Sequence, residues 1–247
     1  MPATRPTFLT ATWRRLLFLN YPVDAAVLQS RVPEGCTLDL WNGSPYMSLV
    51  GFRFLDTRLL GVPIPFHRHF DEVNLRFYVV REEPDGTRKR GVAFVKELVP
   101  RWAIATVART LYGEKYEAVP MRHRFEPTDY GERLRFEWRR GSRWESLAAE
   151  ATGSVALAGD GTEEAFITEH YWGYASRRGG GTTEYEVVHP KWTMRPAFDA
   201  EFAADVATLY GPEFVAPLSE RPTSTFVADG SDVSIRWGRR LSDEGPQ

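Results

Sequence analysis

The sequence predicts a mainly β fold of the α+β class, arranged as a single domain over residues 1–247. Short runs in which apolar and polar residues alternate recur from one end of the chain to the other, separated by Gly, Pro and Asp. Apolar residues make up 43% of the chain and charged residues 26%, which is ordinary for globular proteins with one large core. No repeat and no change of composition divides the sequence, so one domain is the simplest arrangement.

Nine segments have the alternation and the flanking turn residues that are typical of strands. They are Trp13–Tyr21, Pro45–Leu55, Glu72–Arg81, Gly91–Val99, Lys115–Phe125, Arg133–Arg140, Arg143–Ala151, Thr182–His189 and Val233–Trp237.

Three helices are predicted. Asp24 is a suitable N-cap for Ala25–Arg31, which ends before a proline because the residue preceding proline avoids helical geometry. In Ala103–Tyr112 the apolar residues have helical spacing, and the glycine that follows supplies a left-handed stop. The third helix is predicted over Asp199–Leu209.

Charge and cysteine content exclude several classes of protein. Lys and Arg number 31 against 33 Asp and Glu, a net charge of −2, so no overall field attracts nucleic acid or an anionic membrane. Cys36 is the only cysteine, which excludes an intramolecular disulfide and a cysteine-based zinc site. The N-terminal residues lack the order of a signal peptide, and no apolar run approaches the roughly 18 residues of a membrane span. We therefore expect a cytoplasmic protein that binds neither nucleic acid nor membranes.

The segment Phe70–Val79 has two chemically different faces if it is a strand, because successive side chains point to opposite sides. One face is apolar, and the other carries Glu72, Asn74, Arg76 and Tyr78. This polar face is either a solvent-facing strip or the polar lining of a closed barrel. In the second case Glu72 is a proton donor or acceptor.

Arg14 lies in a predicted strand where simple alternation groups it with Leu16 and Phe18. An arginine on such a face can bind a substrate carboxylate in a bidentate manner. The alternative is a strand-end arginine that reaches water.

Lys96 and Lys115 are amines that can form an imine with a keto substrate if they are desolvated. Lys96 precedes Glu97, so in a strand one of the two points inward. Ordinary solvated lysines are the alternative for both positions.

The histidines show no recognisable metal-ligand spacing, and we expect neither a metal nor another cofactor. The run Ile167–Tyr174 contains His170, Tyr171 and Trp172, a dense group of polar and aromatic side chains. Such a run lines the mouth of a pocket or forms a packed corner. The sequence contains no nucleotide-binding loop, nucleophile elbow or zinc-protease motif.

Five segments resemble the YqjF-like family of uncharacterised bacterial proteins. They are Phe8–Arg14, Leu38–Gly43, Ser48–Phe54, Glu72–Tyr78 and Thr168–Gly173. That family is similar to acetoacetate decarboxylase. The resemblance therefore implies a closed, cone-shaped antiparallel β-barrel with a few peripheral helices, an active site inside the barrel and assembly into a homo-oligomer.

The resemblance also implies roles for individual residues. Arg14 matches an early-strand arginine and would bind the substrate carboxylate, while Glu72 matches the acid that works beside the catalytic lysine. Tyr116 falls at the position of that lysine, and Lys115 falls one residue earlier, which on a strand faces the opposite side. A phenol cannot form an imine, so we expect Tyr116 to act as a hydrogen-bond donor or general acid.

The resulting expectation is a small-molecule enzyme of the lyase or hydratase type that acts on an oxo acid or a related carbonyl compound. The residues expected to contact the substrate are Arg14, Arg76, Tyr78, His170, Tyr171 and Trp172. One alternative is a non-catalytic binding protein for an organic acid or apolar ligand. The other is a Schiff-base decarboxylase that uses Lys115 or Lys96.

Overall fold

The computed structural model describes residues 5–63, 67–100, 115–177 and 179–241. Its strands are β1 Thr7–Pro22, β2 Thr37–Leu38, β3 Leu40–Trp41, β4 Ser44–Leu59, β5 Val62–Pro63, β6 Phe70–Glu82, β7 Arg88–Val99, β8 Tyr116–Ala118, β9 Met121–Pro127, β10 Gly131–Arg140, β11 Arg143–Thr152, β12 Ala156–Leu157, β13 Trp172–Ser176, β14 Thr182–Val188, β15 Thr193–Ala203, β16 Ser224–Ala228, β17 Asp232–Arg236 and β18 Arg239–Arg240. Its α-helices are α1 Ala25–Gln29, α2 Glu163–Thr168, α3 Val206–Leu209 and α4 Val215–Ser219, with a short 3-10 helix at Pro212–Phe214. No described helix has the length and apolar character needed to cross a bilayer.

Seven described strands close into a barrel, in the order β1, β4, β6, β7, β13, β14 and β17. Strand β17 pairs back with the first half of β1 and completes the ring. The mainly β fold that the sequence predicts is therefore confirmed, as is the closed barrel with few helices that the family resemblance implies. Its pairings are antiparallel except the one between β7 and β13, which is parallel.

This parallel pairing depends on a close approach of two backbones. Gly91 of β7 lies opposite Trp172 of β13. A Cβ added to Gly91 would lie 2.6 Å from the carbonyl oxygen of Trp172, well inside van der Waals contact. Glycine at this position therefore allows the ring to close.

A second sheet packs against the outside of the barrel. Strands β9, β10, β11, β15 and β16 pair in that order, and β16 joins the second half of β1. The core between the two layers contains Leu17, Leu49 and Leu75 from the barrel, and Phe136 and Leu147 from the second sheet. Consequently β1, β4 and β6 are largely buried on both faces.

A separate apolar core fills the barrel interior. It includes Phe18, Val50 and Phe52 from the barrel wall. Helix α2 contributes Phe166 and Ile167 to the same core. Thr162 precedes the helix as its N-cap, and its side chain accepts a hydrogen bond from the Ala165 amide.

The local predictions have mixed outcomes. The helix that starts after Asp24 is confirmed, and the Asp24 carboxylate accepts a hydrogen bond from the Ala26 amide at 2.8 Å. The helix predicted over Asp199–Leu209 is wrong in its first half, since β15 continues to Ala203 in pairing with β11. Only α3 is helical there. The helix predicted over Ala103–Tyr112 lies outside the described residues.

The strand predicted over Lys115–Phe125 is divided in two. Strand β8 ends at Ala118, and β9 begins at Met121. Pro120 lies between them, and proline cannot donate a hydrogen bond to a sheet. The first piece pairs in parallel with β7 and the second antiparallel with β10.

Candidate functional site

The barrel encloses a cavity of about 70 Å³. One water molecule needs roughly 10–15 Å³ of such space, so the cavity has room for several waters or a small organic molecule. Its aromatic lining includes Trp13, Phe52, Phe54, Phe94, Trp172, Tyr185 and Trp192. Its polar lining includes Glu72, Asn74, Arg76, Glu97, Tyr116, Thr168, His170 and His189.

Strand β6 supplies a row of three linked polar side chains. Glu72, Asn74 and Arg76 all face the cavity, as alternation predicts, while Val73 and Leu75 face the core between the layers. The amide nitrogen of Asn74 donates to Glu72 Oε1 at 2.9 Å, and its oxygen accepts from Arg76 Nε at 3.0 Å. A neutral amide therefore holds a carboxyl group and a guanidinium at fixed positions on one wall.

Arg76 presents an available guanidinium edge to the cavity. Within the described part of the chain, its terminal nitrogens Nη1 and Nη2 have no hydrogen-bond or ion-pair partner. The guanidinium carbon lies 5.6 Å from the centre of the Phe18 ring and 5.7 Å from that of Phe94, where the ring faces favour a cation. Burial lowers the pKa of Arg76, but an arginine stays protonated in proteins. The two terminal nitrogens of Arg76 are therefore suitably placed to bind a ligand carboxylate.

Glu72 is an acid whose environment favours the protonated form. Burial raises the pKa of Glu72 from its ordinary value of 4.5 to about 7, against the lowering effects of Asn74, Arg76 and Tyr116. A group with a pKa near the working pH exchanges protons efficiently in both directions.

The Tyr116 hydroxyl reaches the same carboxyl group from another strand. It donates to Glu72 Oε2 at 3.4 Å. Strand β8 carries Tyr116 beside Glu97 of β7, which brings the phenol to the cavity wall. The structure thus brings together the carboxyl group and the phenol that the family resemblance places at one site.

His170 lines the cavity as a neutral imidazole. Its Nε2 lies 3.1 Å from Asp39 Oδ2, which also accepts from Arg90 Nε at 2.6 Å. Burial lowers the pKa of His170 to about 4, so the ring is uncharged at neutral pH. Tyr78 lies behind it, with ring centres 4.6 Å apart and its hydroxyl bonded to Ser48 Oγ at 2.6 Å. Tyr78 therefore supports the wall but does not line the cavity.

Arg14 lies outside the barrel, and the predicted grouping of Arg14 with Leu16 and Phe18 is wrong. The register between β1 and β4 shifts after Arg14, and Arg15 adopts a positive φ of 52°. This bulge turns Trp13 and Leu16 inward and leaves Arg14 exposed. An inserted residue of this kind changes the face of the residues around it.

The two candidate lysines also lie outside the cavity. Lys96 Nζ pairs with Glu117 Oε2 at 3.0 Å, and Lys115 is exposed. The β6–β7 register shifts opposite Lys96, and Glu97 lines the cavity in its place. The chain has four lysines, all within the described residues, and none is among the cavity-lining side chains.

In the aromatic run, Trp172 lines the cavity and Tyr171 does not. The Tyr171 ring packs instead on His189, with ring centres 4.8 Å apart. His189 in turn stacks on Trp192 at 4.2 Å. Sequence reasoning missed His189 and Trp192, because they follow the end of a strand and carry no periodic signal.

Potential metal ligands do not gather in the described part of the chain. No group of three or more His, Cys, Asp or Glu side chains there is arranged to hold a metal ion. Among the described lining residues, the ionisable groups of the cavity are two carboxyl groups, one guanidinium, two phenols and two imidazoles.

The sequence matches the DUF2071 family, described as an uncharacterized conserved protein, over residues 10–232. It is 38% identical over 76 residues to the uncharacterized protein YqjF of Bacillus subtilis. That match covers 30% of this chain and 31% of the length of YqjF.

Solved structures with the same fold are distant in sequence. An acetoacetate decarboxylase-like enzyme from Sphingomonas wittichii superposes with a TM-score of 0.67 at 12% identity, over 98% of this chain and 96% of that one. The enduracididine biosynthesis enzyme MppR complexed with pyruvate gives 0.65 at 13% identity, over 99% and 93%. Acetoacetate decarboxylase from Legionella pneumophila gives 0.63 at 14% identity, over 99% and 93%. At these identities the likeness shows a shared fold.

Proposed function

This chain belongs to the DUF2071 family and has the fold of acetoacetate decarboxylase-like enzymes, and on that basis we propose that it is an enzyme acting on a small oxo acid. The proposed chemistry is proton transfer next to the substrate carbonyl, of the lyase or hydratase type, without an imine. The observation that carries the proposal is the Tyr116 hydroxyl, 3.4 Å from a Glu72 carboxyl group whose pKa is raised to about 7.

Arg76 is the anchor in this proposal. Its terminal nitrogens donate to no protein group among the described residues, so they can donate two parallel hydrogen bonds to a substrate carboxylate. The fixed link through Asn74 sets the distance between this anchor and Glu72. A substrate held in this way would have the carbon next to its carbonyl near Glu72, and such positioning lowers the barrier to reaction.

The proposed reaction begins when ionised Glu72 removes a proton from the carbon next to the carbonyl. The electron pair of the broken C–H bond moves toward the carbonyl oxygen, where the Tyr116 hydroxyl donates a hydrogen bond to the developing negative charge. In a substrate with a β-hydroxyl group, Glu72 then returns the proton to that hydroxyl, and water leaves as the double bond forms. The reverse sequence adds water.

A proton-exchange assay tests this proposal without knowledge of the natural substrate. A panel of short oxo acids, beginning with pyruvate and 2-oxobutyrate, is incubated with the protein in D₂O, and the C–H signals are followed by NMR. We expect catalysed loss of the signal next to the carbonyl. Glu72→Gln should abolish the exchange, and Tyr116→Phe should slow it by about 10²-fold or more, the usual contribution of a general acid.

Glu117→Gln is the matched control, because Glu117 is a carboxylate of β8 that pairs with Lys96 outside the cavity. It should retain full exchange. Exchange that survives in Glu72→Gln would contradict the proposal, and so would the absence of exchange with every acid in the panel.

Imine chemistry through Lys96 or Lys115 is tested separately. Reduction with borohydride in the presence of pyruvate or acetoacetate, followed by mass spectrometry, should give no added mass on either lysine, because both lie outside the cavity. A stable adduct on one of them would restore the Schiff-base alternative.

The aromatic lining supports a second candidate function, namely non-catalytic binding of an organic acid or apolar ligand. Trp13, Phe52, Phe54 and Trp192 provide a continuous apolar wall beside the polar row of β6, where Phe52 of β4 pairs with Glu72. Ligand binding without proton exchange would favour this function.

A further inference from the structure

A second concave surface lies outside the barrel, where β1, β4 and β15 meet the turn before β17. Its volume is about 490 Å³, within the range of small-molecule sites. Its charged lining consists of Arg14, Arg15, Arg53, Arg195, Glu132 and Asp229. Four positive and two negative side chains make it locally basic, in a chain whose formal net charge is −2.

Two of the four arginines have carboxylate partners. Arg15 donates to both oxygens of Glu132, at 3.1 and 2.9 Å. Arg53 donates to Asp71 at 3.3 Å. These pairs hold two guanidinium groups in place at the groove.

The other two arginines, Arg14 and Arg195, have no carboxylate partner among the described residues. Among the described residues, the Arg14 side chain donates only to the backbone carbonyl of Trp13, at 3.0 Å. The Arg195 side chain has no hydrogen bond and no ion pair within the same part of the chain, and its Nε is buried. Arg195 lines the groove, so the rest of its guanidinium group can donate hydrogen bonds to an oxyanion there.

The backbone holds these arginines in place despite repulsion between like charges and a strained local conformation. Arg14 lies directly opposite Arg53 in the β1–β4 pairing, and like charges in that relation repel. Arg15 holds a positive φ of 52°, and Gly230 packs so closely that an added Cβ would lie 2.2 Å from the Trp13 carbonyl oxygen. Bulges and strained residues of this kind concentrate at binding sites.

We propose that this groove is a second ligand site, which binds the phosphate or carboxylate group of a small molecule through Arg14 and Arg195. An oxyanion there satisfies the unpaired donors and offsets the repulsion between Arg14 and Arg53. No residue lines both this groove and the barrel cavity. The site is therefore separate from the proposed catalytic centre.

Calorimetric titration of the whole protein with pyrophosphate and with citrate tests the proposal at low ionic strength. We expect saturable binding that weakens as salt is added. The stronger of the two ligands identifies the preferred oxyanion. Arg14→Gln and Arg195→Gln should each weaken binding by about tenfold or more, since each removes charge-assisted hydrogen bonds.

Arg221→Gln is the matched control, because Arg221 is exposed and does not line the groove. It should bind as the parent does, and all variants should keep the parent melting temperature to within a few degrees. Absence of binding by both ligands would overturn the proposal. Equal weakening in Arg221→Gln would also overturn it, as would a loss of binding confined to Arg76→Gln, which would place the anion in the barrel.

Discussion

Glu72 links its own protonation to the stability of the fold. The pKa of this carboxyl group is raised from 4.5 to about 7, chiefly because it is buried. The folded state therefore binds the proton more tightly than the unfolded state does. The resulting stabilisation is present below pH 4.5 and is lost as pH rises through about 7.

We accordingly expect Glu72→Gln to gain stability relative to the parent as pH rises from 5 to 8. The raised pKa corresponds to a change of about 2–3 kcal/mol in the free energy of unfolding. Urea unfolding of both proteins at the two pH values measures it. A difference between parent and variant that is the same at pH 5 and pH 8 would show that Glu72 titrates normally.

Arg76 is predicted to provide most of the affinity for carboxylate ligands in the barrel. Arg76→Gln should weaken such binding by about 10- to 100-fold, the effect expected when a charge-assisted pair is lost. Quenching of tryptophan fluorescence reports on the cavity, because Trp172 and Trp192 line it. Arg221→Gln should leave the titration unchanged. Equal affinity in parent and Arg76→Gln would remove Arg76 from the site.

Within a single strand, the sequence alone predicts which face a side chain occupies wherever the alternation is regular. Glu72, Asn74 and Arg76 could be assigned to one face of β6 because its pairing with β4 is uninterrupted there. Arg14 could not, since the bulge after it has no periodic signature and is defined by pairing with distant strands. The inward position of Glu97 has the same explanation, because the β6–β7 register shifts between Leu75 and Arg76, just before Glu97 along β7.

The conformation of other elements was not predicted correctly, because it is determined by tertiary contacts. The end of strand β15, residues 199–203, was predicted as part of a helix, yet β15 is held between β11 and β16. Strand β13 was read as an aromatic run without a defined structure, and its parallel partner β7 lies far away in the sequence. Local propensity is a weak guide when distant pairing decides the conformation.

The parallel pairing of β7 and β13 gives a prediction at this scale. Gly91→Ala would place a methyl carbon 2.6 Å from the Trp172 carbonyl oxygen. The strands must separate to relieve this contact, and we expect a loss of about 2–4 kcal/mol, as for other overpacked or strained sites. Chemical denaturation measures the change.

Gly179→Ala is the control for that variant. An added Cβ at Gly179 meets nothing within 4 Å, and neither position has a left-handed φ. The control should change the stability by less than about 0.5 kcal/mol. Similar stabilities for the two variants would mean that the barrel closes without the close approach at Gly91.

The whole molecule has two apolar cores that share one wall. Strands β1, β4 and β6 contribute to the barrel interior with one face and to the core between the layers with the other. Neither layer can come apart without exposing part of the other. We therefore expect the described layers to unfold in a single cooperative transition, as one domain does.

Phe136→Ala tests this coupling. Phe136 is fully buried in the second sheet and packs against Gly51 of the barrel wall. Its removal should cost about 3–5 kcal/mol, and far-ultraviolet circular dichroism and tryptophan fluorescence should still report one coincident transition. Leu157→Ala, at a residue 60% exposed, should cost less than about 1 kcal/mol. Separate transitions for the two signals would indicate two independent folding units.

Because both faces of β6 are buried, the changes in this strand that evolution can accept are limited. Because ligand-facing and core-facing side chains follow each other one by one, gaining or losing a single residue in this strand would exchange the two sets. Charged groups would then enter the apolar layer, and valine and leucine would replace them in the cavity. Homologues with different ligands should therefore differ by replacements at the positions of Glu72, Asn74 and Arg76, while the length of this strand stays the same.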